Sequence, residues 1–273
     1  MKIKIIDMAS LVDRKLAPST INSSTKVTLS LYNVRNVHPS DMTHIMCLID
    51  LLARSNCIHK DVIYPRCEKV KSYCGRMGLF NLIPSYTYPN IVRQNRSLVE
   101  LQKIDNENND YIAGLVLESL KLNGLPIDHI KDDLHTAITE VANNVFYHSG
   151  NRENEGWGYF SAQFYPSIRT FEFSFCDLGI GFRGAFNRTF KLLGLASNKL
   201  IEKAMERHVS SIIDPMRGIG LNEVCNIVRA YKGEITIQSH DGYFHIPTSG
   251  KIVSRLHTEN PFVGTSLDFR IKL

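Results

Sequence analysis

Glu140, Asn144 and His148 recur at four-residue steps inside DDLHTAITEVANNVFYHSG, residues 132–150. A carboxylate one helical turn from a carboxamide oxygen suits a divalent cation and the water that attacks a phosphate. The steps presuppose a helix. Leu134, Ile138, Val141 and Val145 supply its buried stripe beside the polar row, and Gly150 supplies a stop. Asn143 and Asn144 in mid-helix run against propensity, because their side chains offer the backbone competing hydrogen bonds. Taken alone, the polar row also fits a solvated helix edge, so phosphate- and base-binding elements downstream must decide.

Such elements follow at three places. TFEFSFCDLGIGF (170–182) reads as a strand of alternating Phe171, Phe173 and Phe175 that runs into Asp177-Leu178-Gly179-Ile180-Gly181. Arg217-Gly218-Ile219-Gly220-Leu221 opens a helical run, NEVCNIVRAY, and Gly264-Thr265-Ser266 opens a last strand, SLDFRIKL. The helix start after Gly218 and Gly220 has amide groups free to receive phosphate oxygens, with Arg217 and, less directly, Arg183 as nearby cations.

With these residues in order, the chain resembles the GHKL superfamily of ATPases, and the spacing Glu140, Asn144, His148 looks most like the bacterial anti-sigma-factor serine kinases. The resemblance covers about 110 to 273. It implies an α/β (α+β) fold, a two-layer sandwich of a mixed sheet and helices, that binds ATP and Mg2+. Glu140 then orients or deprotonates the attacking nucleophile, and Asn144 holds Mg2+ through its side-chain oxygen. Asp177 accepts a hydrogen bond from the adenine amino group. Gly179 and Gly181 let the backbone approach base and sugar, and Thr265 supports the hydrogen bonds around Asp177. Arg217, Gly218, Gly220 and Leu221 line the phosphate side, and 182–217 form a lid. His148 takes a structural role.

The amino-terminal half reads as strand (26–34), helix (HPSDMTHIMCLIDLLARS), short strand (KDVIYP) and helix (CEKVKSYCGRMGLFNLIP), a small α/β layer. In 37–52 and 70–82 it resembles a STAS domain, the fold of anti-anti-sigma factors. That family's phosphoacceptor motif is replaced here by His38-Pro39-Ser40-Asp41, in which Ser40 and Asp41 read as a helix cap rather than a phosphorylation site. The expected organisation is a STAS-like domain over 1–88, a linker over 89–110 and an ATP-binding domain over 111–273.

Composition sets the outer bounds. In 273 residues, 43% hydrophobic and 22% charged describes a chain able to bury a proper core, and a net charge of +5 without basic blocks does not point to nucleic acid. No apolar run is long enough to span a membrane, and MKIKIIDMASLVDRK is too charged for a secretory signal, so the expected compartment is the cytoplasm. The six cysteines lack a Cys-x-x-Cys pair and read as reduced thiols. The expected activity is ATP hydrolysis or transfer of the γ-phosphate to a protein Ser/Thr, or else an ATP-gated interaction switch with little turnover. A regulatory protein partner and an ATP-dependent homodimer are the partners this implies.

Overall fold

The computed structural model describes residues 2–7, 25–54, 62–82, 97–105, 108–150, 156–189, 194–206, 220–258 and 261–273. The chain is α+β. Its centre is a seven-stranded sheet of β3 (Leu98–Ile104), β4 (Gly158–Tyr165), β5 (Thr170–Asp177), β9 (Phe262–Lys272), β6 (Glu234–His240), β7 (Gly242–Ile246) and β8 (Val253–Leu256), in that spatial order. Every pairing in it is antiparallel, which corrects the expected mixed sheet. Short turns join β4 to β5 and run β6, β7 and β8 as a meander, and β9 returns to fill the gap between β5 and β6. The segment between β6 and β9 is therefore extra sheet, β7 and β8.

Alternation along the strands sorts the two faces. Phe160, Phe164, Phe171, Phe173, Phe175, Leu267 and Phe269 face the helices α3 (Asn109–Leu122), α4 (Lys131–Ser149) and α7 (Gly220–Ala230) in one apolar core. Phe173 stacks on Phe269 with centroids 4.6 Å apart, and each such buried ring contributes roughly 1.5–3 kcal/mol. Leu134, Ile138, Val141 and Val145 all lie buried, as the helical stripe requires. Smaller helices α5 (Gly181–Thr189) and α6 (Ser197–Ala204) complete this layer, with α6 lying against β7 and β8.

The opposite face is polar, with Ser161 on β4, Glu172, Ser174 and Cys176 at alternate positions of β5, and Ser266, Asp268 and Arg270 at alternate positions of β9. Over β4 and β5 it is covered by α1 (Pro39–Arg54), from the amino-terminal half. That half also contains β1 (Lys2–Asp7), parallel to β2 (Thr25–Ser30), α2 (Glu68–Arg76) and a 3-10 turn at Leu79–Leu82. Of the expected strand in KDVIYP, Lys60 and Asp61 lie outside the described residues, and the described part forms a single parallel bridge, Ser30 to Ile63.

Two expectations about organisation change. Residues 98–104, assigned to a linker, are strand β3 of the main sheet: Leu98, Val99, Leu101 and Ile104 are buried, and Glu100 and Lys103 had disguised the pattern. Residues 89–96 and 106–107 of that linker lie outside the described residues. The halves also share a core, because Leu98, Leu101, Tyr159 and Cys176 pack with Leu29, Met42, Ile49 and Phe80. The two-layer sandwich thus carries a partial third layer. Among the described residues no helix is long and apolar enough to cross a membrane.

Candidate functional site

The carboxyl end of α4 and the turn after β5 are stitched together. Helices end with carbonyl groups that lack intrahelical partners. Gly150 caps α4 in an extended conformation (φ −72°, ψ 162°), without the left-handed turn that commonly satisfies those groups. Neighbouring elements satisfy them instead. Gly156 N–H donates to Phe146 O at 3.0 Å and Ile180 N–H to Ser149 O at 3.1 Å. The Arg188 guanidinium reaches Gly150 O. Ser149 Oγ accepts from Trp157 N–H at 2.8 Å and donates to Trp157 O at 3.1 Å.

Asp177 ends β5 on the helix side, continuing the Phe171, Phe173, Phe175 series. Only 3% of its surface is exposed, and no cation among the described residues pairs with it. Its Oδ1 accepts from Gly179 N–H at 2.8 Å. Burial drives its pKa up to about 7 from an ordinary 3.8, against the backbone N–H groups of Gly179 and Thr265, which pull it down. Thr265 is its cross-strand partner on β9 and is buried as well.

The glycines around Asp177 are required by the protein itself. A Cβ on Gly179 would stand 1.8 Å from Ser149 O, and one on Gly264 (φ 85°) would stand 2.2 Å from Asp177 O. At Gly181 (φ 61°) it would meet Ser239 Oγ at 2.5 Å. Gly179 and Gly181 were expected to make room for base and sugar, but the space a side chain would take is filled by α4 and β6.

Ser239 and His240, which sequence reasoning missed, hold the far side of the turn. Ser239 Oγ accepts from Phe182 N–H and donates to Gly264 O, both at 3.0 Å. His240 Nε2 lies 2.9 Å from Ile180 O, so that nitrogen carries the proton. Their only signal in the sequence was the Ser-His-Asp-Gly turn.

Glu140 and Asn144 are half-buried on α4, and neither side chain makes a hydrogen bond among the described residues. The adjacent Asn143 accepts from Asn109 Nδ2 at 2.7 Å, tying α4 to α3. One asparagine of the pair is thus structural. Asn144 stands five residues before Ser149, about 7.5 Å along the helix from the latch to the Asp177 turn. His148 also lies in α4. Gly220 is the first residue of α7, which packs on α4, and Leu221 is buried in the core, so it contributes packing. Arg217 and Gly218 lie outside the described residues, as do 190–193 and 207–216 of the expected lid. The rest of that lid is built into the fold: Arg183 donates to Ser197 Oγ at 3.0 Å, tying α5 to α6, and Leu200 and Ile201 are fully buried. Arg183 thus has one guanidinium nitrogen engaged within the fold.

Ser40 sits in the first turn of α1, half-buried, where Pro39 O accepts from Ser161 Oγ at 2.9 Å. Asp41 Oδ2 accepts from His38 N–H at 2.8 Å in a capping arrangement. The sites of the five cysteines among the described residues are unpaired thiols, and no group of three metal-ligating side chains forms among those residues. No family model, no curated protein and no solved structure matches this chain.

Proposed function

We propose that the chain is an ATP- and Mg2+-binding regulatory enzyme of the GHKL type, close to the anti-sigma-factor kinases, fused to a STAS-like amino-terminal half. It hydrolyses ATP or transfers the γ-phosphate to a protein Ser/Thr. The observation that carries this reading is Asp177. A buried carboxylate held by backbone amides alone is costly to the fold, and it is kept where a ligand's donor completes it. An exocyclic amine of adenine is such a donor. Thr265 beside it and the α4 carboxyl end locked to its turn are the supports expected around a base pocket.

The donor set fits the nucleotide and its metal. Asn144 offers a neutral oxygen, the hard donor Mg2+ prefers, and Glu140 is a base one turn away. Bound ATP and Mg2+ supply the transferable phosphoryl group and neutralise its charge. Glu140 takes the proton from the attacking hydroxyl or water, Asp177 orients the base, and the amide groups at the start of α7, with Arg217 and Gly218 ahead of it, receive phosphate oxygens.

A second reading, an ATP-gated interaction switch, is favoured by one feature. Cys47 Sγ on α1 donates to Cys176 O at 3.2 Å, one residue from Asp177, so the amino-terminal half touches the strand that carries the base ligand. Incubating pure protein with Mg2+ and γ-labelled ATP separates the readings. Label in free phosphate marks an ATPase and label on protein marks a kinase. Glu140→Ala is expected to lower either rate by about 100- to 10,000-fold while ATP still binds. ATP bound without label release in the wild type marks the switch, and no ATP binding at all rejects the assignment.

A further inference from the structure

A cavity of about 360 Å3 opens at the end of the sheet remote from Asp177. Thr170, in its lining, and Asp177 are the two ends of β5, roughly 23 Å apart at strand rise. The polar lining consists of Lys232, Arg270 and Lys272, the hydroxyls of Thr170 and Thr248, and one carboxylate, Glu234. These donors converge from separate elements. Arg270 and Lys272 come from β9, Lys232 from the turn after α7, and Thr248 from the loop after β7.

Neither Lys232 nor Lys272 has a carboxylate partner among the described residues. Arg270 gives Nε and Nη2 to Glu172 Oε1, while its Nη1 stays 4.0 Å from Glu234 Oε2. Backbone conformation adds an independent observation. Lys232 has φ 47°, and Arg169, preceding Thr170, has φ 46°. The left-handed region costs a residue with a Cβ on the order of 1 kcal/mol, and glycine or asparagine would fill such turns more cheaply. A long cation, Lys232, stands there instead and lines the cavity, while Arg169 donates from Nε to Leu273 O at 2.7 Å.

We propose that this cavity is a binding site for a phosphoryl dianion, carried on a monoester or free as inorganic phosphate. Glu172 and Glu234 both engage Arg270, which leaves Lys232 and Lys272 as the lining cations without a carboxylate partner among the described residues, one for each charge of a dianion. A planar carboxylate would use donors lying near one plane, whereas a tetrahedral phosphoryl group accepts from several directions at once. The volume falls at the small end of ligand pockets, enough for the phosphoryl group and a short carrier. The site is separate from the nucleotide region and does not depend on it.

The test is calorimetric titration of the full chain with inorganic phosphate and with O-phosphoserine, repeated on Lys232→Gln/Lys272→Gln and Lys232→Arg/Lys272→Arg. Both lysines project to the surface, so the fold survives either exchange. Saturable binding to the wild type that falls at least tenfold in the glutamine pair, returns in the arginine pair and weakens with added salt supports the site. ATP binding is expected to be the same in all three proteins. Tighter binding of O-phosphoserine than of phosphate identifies a phosphorylated side chain as the ligand, and the reverse order identifies the free anion. Absence of saturable binding, or equal affinity in the glutamine pair, overturns the proposal.

Discussion

Asp177 carries a conflict between stability and binding. Its folded pKa of about 7 lies above the ordinary 3.8, so between those values the folded state holds the extra proton and stability falls as pH rises. The cost saturates above pH 7 and is on the order of 4 kcal/mol at most. Asp177→Asn keeps an oxygen for the Gly179 amide and removes the charge. The variant is expected to be more stable than wild type, with a gap that widens from pH 5 to pH 8 in urea unfolding, and to lose ATP. A gap independent of pH would show that Asp177 is not held in a raised state. Asn144→Ala is expected to lose Mg2+-dependent turnover more than nucleotide affinity, read by comparing activity with ATP binding across Mg2+ concentrations. The residue types here were legible in the sequence because Glu, Asn, Asp and Gly recur at informative spacings. Ser239 and His240 were not, because a serine and a histidine in a tight turn announce nothing until β6 is placed beside the 177–181 turn.

The contact between α1 and the sheet is the element that pattern reasoning did not foresee. Thr43 Oγ1 meets Ser174 Oγ at 2.9 Å, Ser174 donates to Asp268 at 2.7 Å, and His44 Nε2 meets Ser266 Oγ at 2.8 Å. At the amino end of α1, His38 Nδ1 lies 3.1 Å from Glu172 Oε2. That bond raises the His38 pKa against the effect of burial. Burial pushes the Glu172 carboxyl up, but the hydrogen bonds from His38 and Arg270 more than reverse it and hold it below its ordinary value. The signs run in opposite directions. The His38 contribution is complete below its ordinary value of 6.5 and is lost as pH rises through the raised value. The Glu172 contribution is present above its ordinary 4.5 and is lost as pH falls through the lowered value. The start of α1 is therefore held hardest between 4.5 and 6.5. Amide exchange at 38–42 is expected to quicken as pH is raised past that window, after correction for intrinsic rates, and His38→Ala is expected to flatten the trend. His38 is half-exposed, so the effect is modest.

At the scale of the molecule, the shared core of Leu98, Leu101, Tyr159 and Cys176 with Met42, Ile49 and Phe80 joins halves that the sequence had separated. Two independent domains would melt in two steps. One continuous packing arrangement predicts a single calorimetric transition, with equal van't Hoff and calorimetric enthalpies. Two resolved transitions would restore the two-domain picture.

The sequence by itself determined the helix of residues 131–149, the aromatic strand that ends in Asp177 and the α+β character, because these depend on local periodicity that a linear reading resolves. It also marked Gly179, Gly181 and Gly264 as special, though their reason lay in the carbonyl and hydroxyl groups packed against them. Only the tertiary structure decided that β3 belongs to the main sheet, that every pairing in it is antiparallel and that α1 lies on its polar face. Strand order and layer contacts join residues more than a hundred positions apart, and nothing in a local pattern states which of many compatible surfaces will meet.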